Sequence, residues 1–222
     1  MLYLFHESSG MPQLTLSGDA HRYIFKVRRH KAEDTLYLRN LKDGLLYRYQ
    51  ILSIDKRMVT LILRETIRLE VRAAVPLHIG WCVIDPKSIE KVLPSLNEIG
   101  VEKITFIYCK RSQKSFKLDF KRLEKILLNS SQQSGRSVMM ELEMLEDLET
   151  FLHVYPKSKM LNFSKDNRLS EVHAETIVVG CEGGFTEEEK ALFGKENIVG
   201  FETSLVLKSE SAVCALASKV LL

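Results

Sequence analysis

The chain has 222 residues, of which 45% are hydrophobic and 27% charged, the balance of a folded protein with a sizeable core rather than a disordered tail. No window approaches the roughly 18 uninterrupted apolar residues of a membrane span, and the start lacks the charged and apolar regions of a signal peptide, so a cytoplasmic protein without a membrane role is expected. The net charge of +3 is uneven: residues 1–72 hold 13 Lys/Arg against 8 Asp/Glu, and a second basic cluster runs from Lys110 to Lys125. Concentrated basic surface suits a phosphate backbone, and it also fits a merely solvated face.

In chain order, Ser17 is positioned to cap a short helix carrying His21, Arg22, Tyr23 and Phe25. Thr35–Arg39 and Leu45–Ile51 flank Asp43-Gly44, a hairpin signal, and Met58–Leu63 adds another strand. Several short strands in under seventy residues predict a small barrel whose closure would remove its edges. The texture changes between about 66 and 75. Pro76–Ile84 reads as a strand, and Ile89, Val92, Leu93, Leu96 and Ile99 repeat at helical spacing up to Gly100, with Pro94 as a kink or late first turn. Ile104–Tyr108 is the next strand, and Leu123, Ile126 and Leu127 share a helix face. Further strands are expected near 138–142, 158–163, 176–179 and 196–200, with helices near 146–153, 187–193 and 209–221. This alternation predicts a mainly parallel α/β sheet. Cys82, Cys109, Cys181 and Cys214 are widely spread with no CxxC pair, so they are expected as buried, reduced thiols, with no metal site.

The chemistry is sought near the C-terminus. The strand ending at Val179 runs into Gly180-Cys181-Glu182-Gly183-Gly184, followed by Thr186 and a Glu-rich helix, and Ser204–Ala212 opens the last helix in the same manner. Loops after strands are where α/β domains place a cofactor. The glycine loop is neither GxGxxG nor a P-loop, and taken alone it fits a tight strand-to-helix turn equally well.

Taken together, these segments resemble the SPOUT-class RNA methyltransferases, in particular the branch that methylates N3 of one uridine in 16S ribosomal RNA. Gly180–Phe185 matches that family's G-P-E-G-G-F in five of six places, and Val206–Ala212 matches I-L-R-T-E-T-A through conservative replacements. Asn97–Val101, Arg111-Ser112, Gln133–Arg136 and His21–Arg28 follow its remaining motifs in order. The resemblance implies an α/β fold: a PUA-like RNA-binding β-barrel over 1–70 and a SPOUT domain with a deep trefoil knot over 71–222. It implies S-adenosylmethionine as cofactor, 16S ribosomal RNA or the small ribosomal subunit as partner, and a homodimer whose active site draws on both subunits. Cofactor contacts would come from Leu161, Asn162, Val179, Gly180, Glu182, Gly183, Gly184 and Phe201. The last loop would add Leu205, Val206, Leu207, Ser209 and Ala212. Glu210, Arg136 and Lys208 are the implied catalytic residues, with Glu210 as base. His21, Arg22, Arg28, Arg29, Lys110 and Arg111 would bind RNA. Departures are Cys181 for proline, Lys208 for arginine, and Glu202-Thr203 for a Leu-Gly pair. They leave two other readings open: a relative that methylates another nucleotide, or a non-catalytic protein of RNA binding or ribosome assembly.

Overall fold

The computed structural model describes residues 2–164, 166–171 and 175–222. The chain divides into two compact units, one of residues 1–72 with 131–139, the other of 73–130 with 140–222.

In the N-terminal unit, β1 (Leu4–Phe5), β2 (Gln13–Ser17), β3 (Thr35–Arg39), β4 (Leu45–Ile54) and β5 (Met58–Arg68) form one sheet in the order β1-β3-β4-β5-β2. Alternation places Leu14 and Leu16 of β2, Leu36 and Leu38 of β3, Tyr49 of β4 and Leu61 of β5 on one buried face. Shifts of register beside Arg48/Tyr49 and between Ile51 and Ser53 bend the long β4–β5 ribbon around that core. The sheet is a half-barrel. Full closure by hydrogen bonding does not occur, because β1 and β2 pair on one side each. The chain between β1 and β2 is tethered to the sheet by Tyr49, whose hydroxyl accepts from Gly10 N (3.0 Å) and donates to Met11 O (2.7 Å). The edge hazard is limited by the two-residue length of β1.

Helix α1 (Gly18–Arg22) runs directly into a π-turn over Tyr23–Val27, and Ile24 from that turn is fully buried in the sheet's core. Ser17 occupies the cap position but its side chain makes no capping bond, so the expected cap is formed by backbone alone. The Asp43-Gly44 turn is as expected a hairpin, with a longer loop than two residues. Asp43 stabilises it by accepting from Leu45 N (2.9 Å) and from the Tyr47 hydroxyl.

The C-terminal unit is a six-stranded sheet, parallel throughout, in the order β11-β9-β10-β6-β7-β8. Its strands are β6 (His78–Cys82), β7 (Lys103–Tyr108), β8 (Glu141–Asp147), β9 (Lys159–Leu161), β10 (Thr176–Val179) and β11 (Ile198–Val199). Every residue of β6 is buried, as a strand covered on both faces requires. Its helices are α2 (Pro86–Ile99), α3 (Phe120–Ser134), α4 (Leu148–Val154), α5 (Glu187–Ala191) and α6 (Ser209–Leu221). Asp85 caps α2, Pro86 takes its first turn, the helix continues through Pro94, and Gly100 ends it in the left-handed conformation (φ 118°). Helix α6 returns to pack on α2. Because β9 is formed before β10 but lies outside it, the strand order reverses near β10, and ligands gather at such switch points.

The opposite end of this sheet is a polar knot of structural groups. His78 Nε2 lies 2.8 Å from Thr105 Oγ1, which donates to Glu143 (2.8 Å); Lys103 and the Tyr155 hydroxyl also donate to Glu143 (3.0 Å each). Since Thr105 spends its proton on Glu143, His78 donates from Nε2. Burial, with Lys103 nearby, lowers the His78 pKa from 6.5 to about 4. Between those values the unfolded chain binds the proton and the folded chain does not, so stability present above pH 6.5 is lost as pH falls toward 4. A His78→Gln variant is expected to show a shallower loss of stability across that window in denaturant titrations.

Candidate functional site: a three-loop cavity at the carboxyl ends of β9, β10 and β11

The loops that leave β9, β10 and β11 enclose a cavity of about 960 Å³, at the large end of the range for small-molecule sites. Each loop has a local reason for its shape. After β10, Gly184 adopts φ 66°, a conformation that side chains disfavour, and its N–H closes a turn onto Cys181 O (2.9 Å). Thr186 then starts α5 with a reciprocal capping box to Glu189. Glu189 is buried, and its carboxylate also accepts from Lys110 N (2.7 Å), which ties the loop after β7 to α5. Glu187 and Glu188 are exposed and pair with Lys190 and Lys110.

The loop after β11 is pinned where it begins α6. Ser209 is buried; its hydroxyl donates to Gly180 O (2.5 Å) and accepts from Trp81 Nε1 (2.9 Å). One side chain thus joins β6, the glycine loop and the last helix. Ser209→Ala would leave the buried indole N–H without its acceptor, and a loss of about 1–3 kcal/mol is expected in chemical denaturation. The loop after β9 is held against β11: Asn162 N donates to Val199 O (2.9 Å), Gly200 N to Asn167 O (2.9 Å), and Leu169 N to Gly200 O (2.9 Å). A Cβ on Gly200 would stand 2.6 Å from Ser164 O and 2.7 Å from Ser164 N, so only glycine fits there without moving the backbone.

Nearly all the expected cofactor contacts line this cavity. Leu161, Asn162, Val179 and Phe201 lie along its walls; Gly180, Glu182 and Gly184 come from the glycine loop; Leu205, Val206, Leu207, Ser209 and Ala212 come from the last. Gly183 does not line it; Arg111 Nη1 donates to Gly183 O (2.7 Å) instead, so Arg111 braces the loop. Lys208 lines the cavity, and Glu210 sits next to it in the first turn of α6 without being a lining residue. Arg136 belongs to the N-terminal unit, is buried, and gives its carbonyl to the Tyr3 hydroxyl (2.8 Å).

Of the expected RNA contacts, Lys110 pairs with Glu188 in the C-terminal unit; in the N-terminal unit His21 lies at a tilt to Phe25, ring centroids 4.9 Å apart, and Arg22, Arg28 and Arg29 are exposed on and just after α1. Lining residues not foreseen from the sequence are Phe163, Ser164, Arg168, Cys181, Phe185 and Glu202, with Thr203 and Ser204 beside the last. Glu202, a departure from the family pattern, pairs with Arg168 (3.1 Å) and Lys219 (3.7 Å) at the cavity rim, a pairing across 34 positions that no motif could reveal.

Cys181, in the place of proline, turns its thiol beneath the loop to within 3.4 Å of Cys109 Sγ. Their shared hydrogen bond, with Cys82 also near, draws Cys109 below the ordinary thiol range and pushes Cys181 above it; burial pushes Cys82 up. These three are buried free cysteines as expected, whereas Cys214, expected to be buried as well, is only half-buried on α6. Among the described residues there is no His/Cys/Asp/Glu group that could hold a metal ion, and no helix is long and apolar enough to cross a membrane.

The cavity's chemistry fits a nucleoside-bearing cofactor. Leu161, Val179, Phe201 and Leu207 offer apolar faces for a flat base, and the backbone of the glycine loop offers polar groups for hydroxyls and an amino acid moiety. A cavity at the carboxyl ends of the strands of an α/β sheet is the usual place for such a ligand. The RNA methyltransferase domain family matches residues 71–221, and the RNA methyltransferase PUA domain family matches 16–64. Ribosomal RNA small subunit methyltransferase E of Helicobacter pylori is 38% identical over 222 residues, covering 98% of each chain; the Aquifex aeolicus protein of the same name is 22% identical over 98% of each. Among solved structures, the Neisseria gonorrhoeae methyltransferase of that name, bound to S-adenosylmethionine, superposes with a TM-score of 0.82 at 16% identity over 98% of this chain and 95% of its own. A Legionella pneumophila methyltransferase with bound cofactor gives 0.82 at 21%, over 98% and 96%.

The chain belongs to the SPOUT-class RNA methyltransferases, in the family of ribosomal RNA small subunit methyltransferase E. The expected fold class is borne out: a SPOUT α/β domain with a small PUA-like half-barrel.

Proposed function

We propose that this protein methylates N3 of a specific uridine in 16S ribosomal RNA, with S-adenosylmethionine held in the three-loop cavity. The observation that supports this most is the cavity itself, joined by Ser209 to both the glycine loop and β6, in a chain 38% identical over nearly its full length to named small-subunit methyltransferases. When bound, the cofactor supplies a methyl group on a sulfonium, and the protein's part is to position the acceptor in line with it. Uridine N3 carries a proton at neutral pH, so it needs a base. Glu210, in the first turn of α6 beside the cavity, serves as that base or orients a water that does. Lys208, exposed at the cap of α6 and lining the cavity, stabilises charge developing on the uracil oxygens. As a lysine it does so as a point charge, without the bidentate fork of the family's arginine.

In this reading residues 1–70 are the RNA-binding domain and 71–222 the methyltransferase domain, acting on the small subunit or its RNA in the cytoplasm. The active form is a homodimer. Phe163, Leu205 and Val206 at the cavity rim are 75%, 71% and 77% exposed, apolar surface that a second copy would cover. Sedimentation velocity is expected to give a dimer, and Leu205→Glu with Val206→Glu a monomer with weakened methylation. The function is tested by incubating the protein with labelled cofactor and small subunits that lack the modification, then digesting the RNA to nucleosides. Label in 3-methyluridine is expected. Label in another nucleoside would establish the relative with a different target, and no label with intact cofactor binding would favour the non-catalytic reading.

A further inference from the structure

The segment that follows α1 is unusual in its backbone. The turn at Tyr23–Val27 is a π-turn, closed by Arg28 N donating to Tyr23 O (2.9 Å), and Arg29 right after it adopts φ 57°, the left-handed region. Isolated π-turns and non-glycine left-handed residues are costly and collect at functional sites. Here the wide turn sets Arg28 above Tyr23: its Nε donates to the Tyr23 hydroxyl (2.8 Å), and its guanidinium lies 5.5 Å from the ring centroid. An exposed cation–π pair is too weak to offset two such distortions by itself.

What the pair does is form one wall of a cleft of about 330 Å³ within the N-terminal unit. Its floor is apolar, from Ile24 and Leu36 of the core, and Tyr37 of β3, 40% exposed, also lines it. His30 lines it too, with Nδ1 committed to Asp34 (3.0 Å), so the second ring nitrogen is what it can offer a ligand. The surrounding segment is basic on balance: residues 19–34 carry Arg22, Lys26, Arg28, Arg29 and Lys31 against Asp19, Glu33 and Asp34.

We propose that this cleft takes one unpaired nucleotide of single-stranded RNA, its base stacked on Tyr37 and the Arg28 guanidinium, its edge read by His30 and its phosphate met by Arg28 or Arg29. The inference rests on the RNA-methylating reading above. The chemistry favours it on three counts. Aromatic rings and arginine planes are the usual platforms for splayed bases. The volume is that of a small-ligand pocket, too small to admit a duplex. A hydrogen-bonding ring beside a stacking wall provides what base readout needs and a plain phosphate patch lacks.

The test uses the full chain and a single-stranded RNA of about ten nucleotides carrying 2-aminopurine, whose fluorescence is quenched on stacking. Tyr37→Ala is expected to weaken binding by about ten-fold, to abolish the quenching, and to leave the dependence on salt unchanged. Arg28→Ala is expected to weaken binding and to reduce the salt slope by about 0.7, the share of one phosphate. Tyr37→Phe keeps the ring and is expected to bind and quench as the native chain does. Native affinity and quenching in both alanine variants would overturn the proposal, as would equal affinity for a duplex of the same length. Cofactor binding, measured in parallel on the same variants, is expected to be unchanged. Its absence in the native chain would count against the methyltransferase reading and leave the oligonucleotide result to judge the cleft.

Discussion

Replacing Glu210 by glutamine is expected to slow single-turnover methylation by about 100- to 10,000-fold, the usual contribution of a general base, while cofactor affinity stays within the range of the native protein. The substitution keeps size and hydrogen-bonding capacity but cannot accept a proton. Glu210 sits in the first turn of α6, and Ser209 beside it is locked to Gly180 and Trp81, so the carboxylate is carried on a rigid base rather than a mobile loop. The measurement is rapid-quench methyl transfer at saturating cofactor and RNA. A rate equal to that of the native enzyme would remove Glu210 from the chemistry and leave it as an ordinary first-turn carboxylate.

A second substitution acts on the cofactor instead. Gly200→Val is expected to weaken S-adenosylmethionine binding by about 100-fold or more, because its Cβ would meet the backbone of Ser164 rather than a side chain that can rotate away. The displaced strand would carry Phe201 with it and push the 162–164 loop into the cavity. Equilibrium dialysis with labelled cofactor reads the affinity, and circular dichroism confirms that the chain still folds. Undiminished binding would mean that the loop after β11 does not shape the cofactor site.

Much of this architecture was legible in the residues. The run of Ile89, Val92, Leu93, Leu96 and Ile99, bounded by Asp85 and Gly100, gave helix α2, since period and caps are local properties. The glycine loop and the segment before α6 were found as strand-to-helix turns, and the structure brings both to one cavity. What could not be read was anything set by packing across the chain. The tether of residues 10 and 11 by Tyr49 is likewise set by packing, which no alternation of apolar residues encodes. Cys82, Cys109 and Cys181 looked unrelated because 27 and 72 positions separate neighbours in sequence, yet parallel strands bring them together. Arg168 and Glu202 met for the same reason, and the π-turn at Tyr23 has no sequence signature at all. Arg136 shows the converse limit: its motif was visible, but its burial in the N-terminal unit is a fact of tertiary structure.

Where the cofactor sits is read most directly by hydrogen exchange measured with and without S-adenosylmethionine. Protection on adding cofactor is expected in the loops after β9, β10 and β11, around Asn162–Ser164, Gly180–Gly184 and Phe201–Ser209, with the N-terminal unit unchanged. Protection confined to other segments, or none at saturating cofactor, would contradict the assignment of the three-loop cavity as the methyl-donor site.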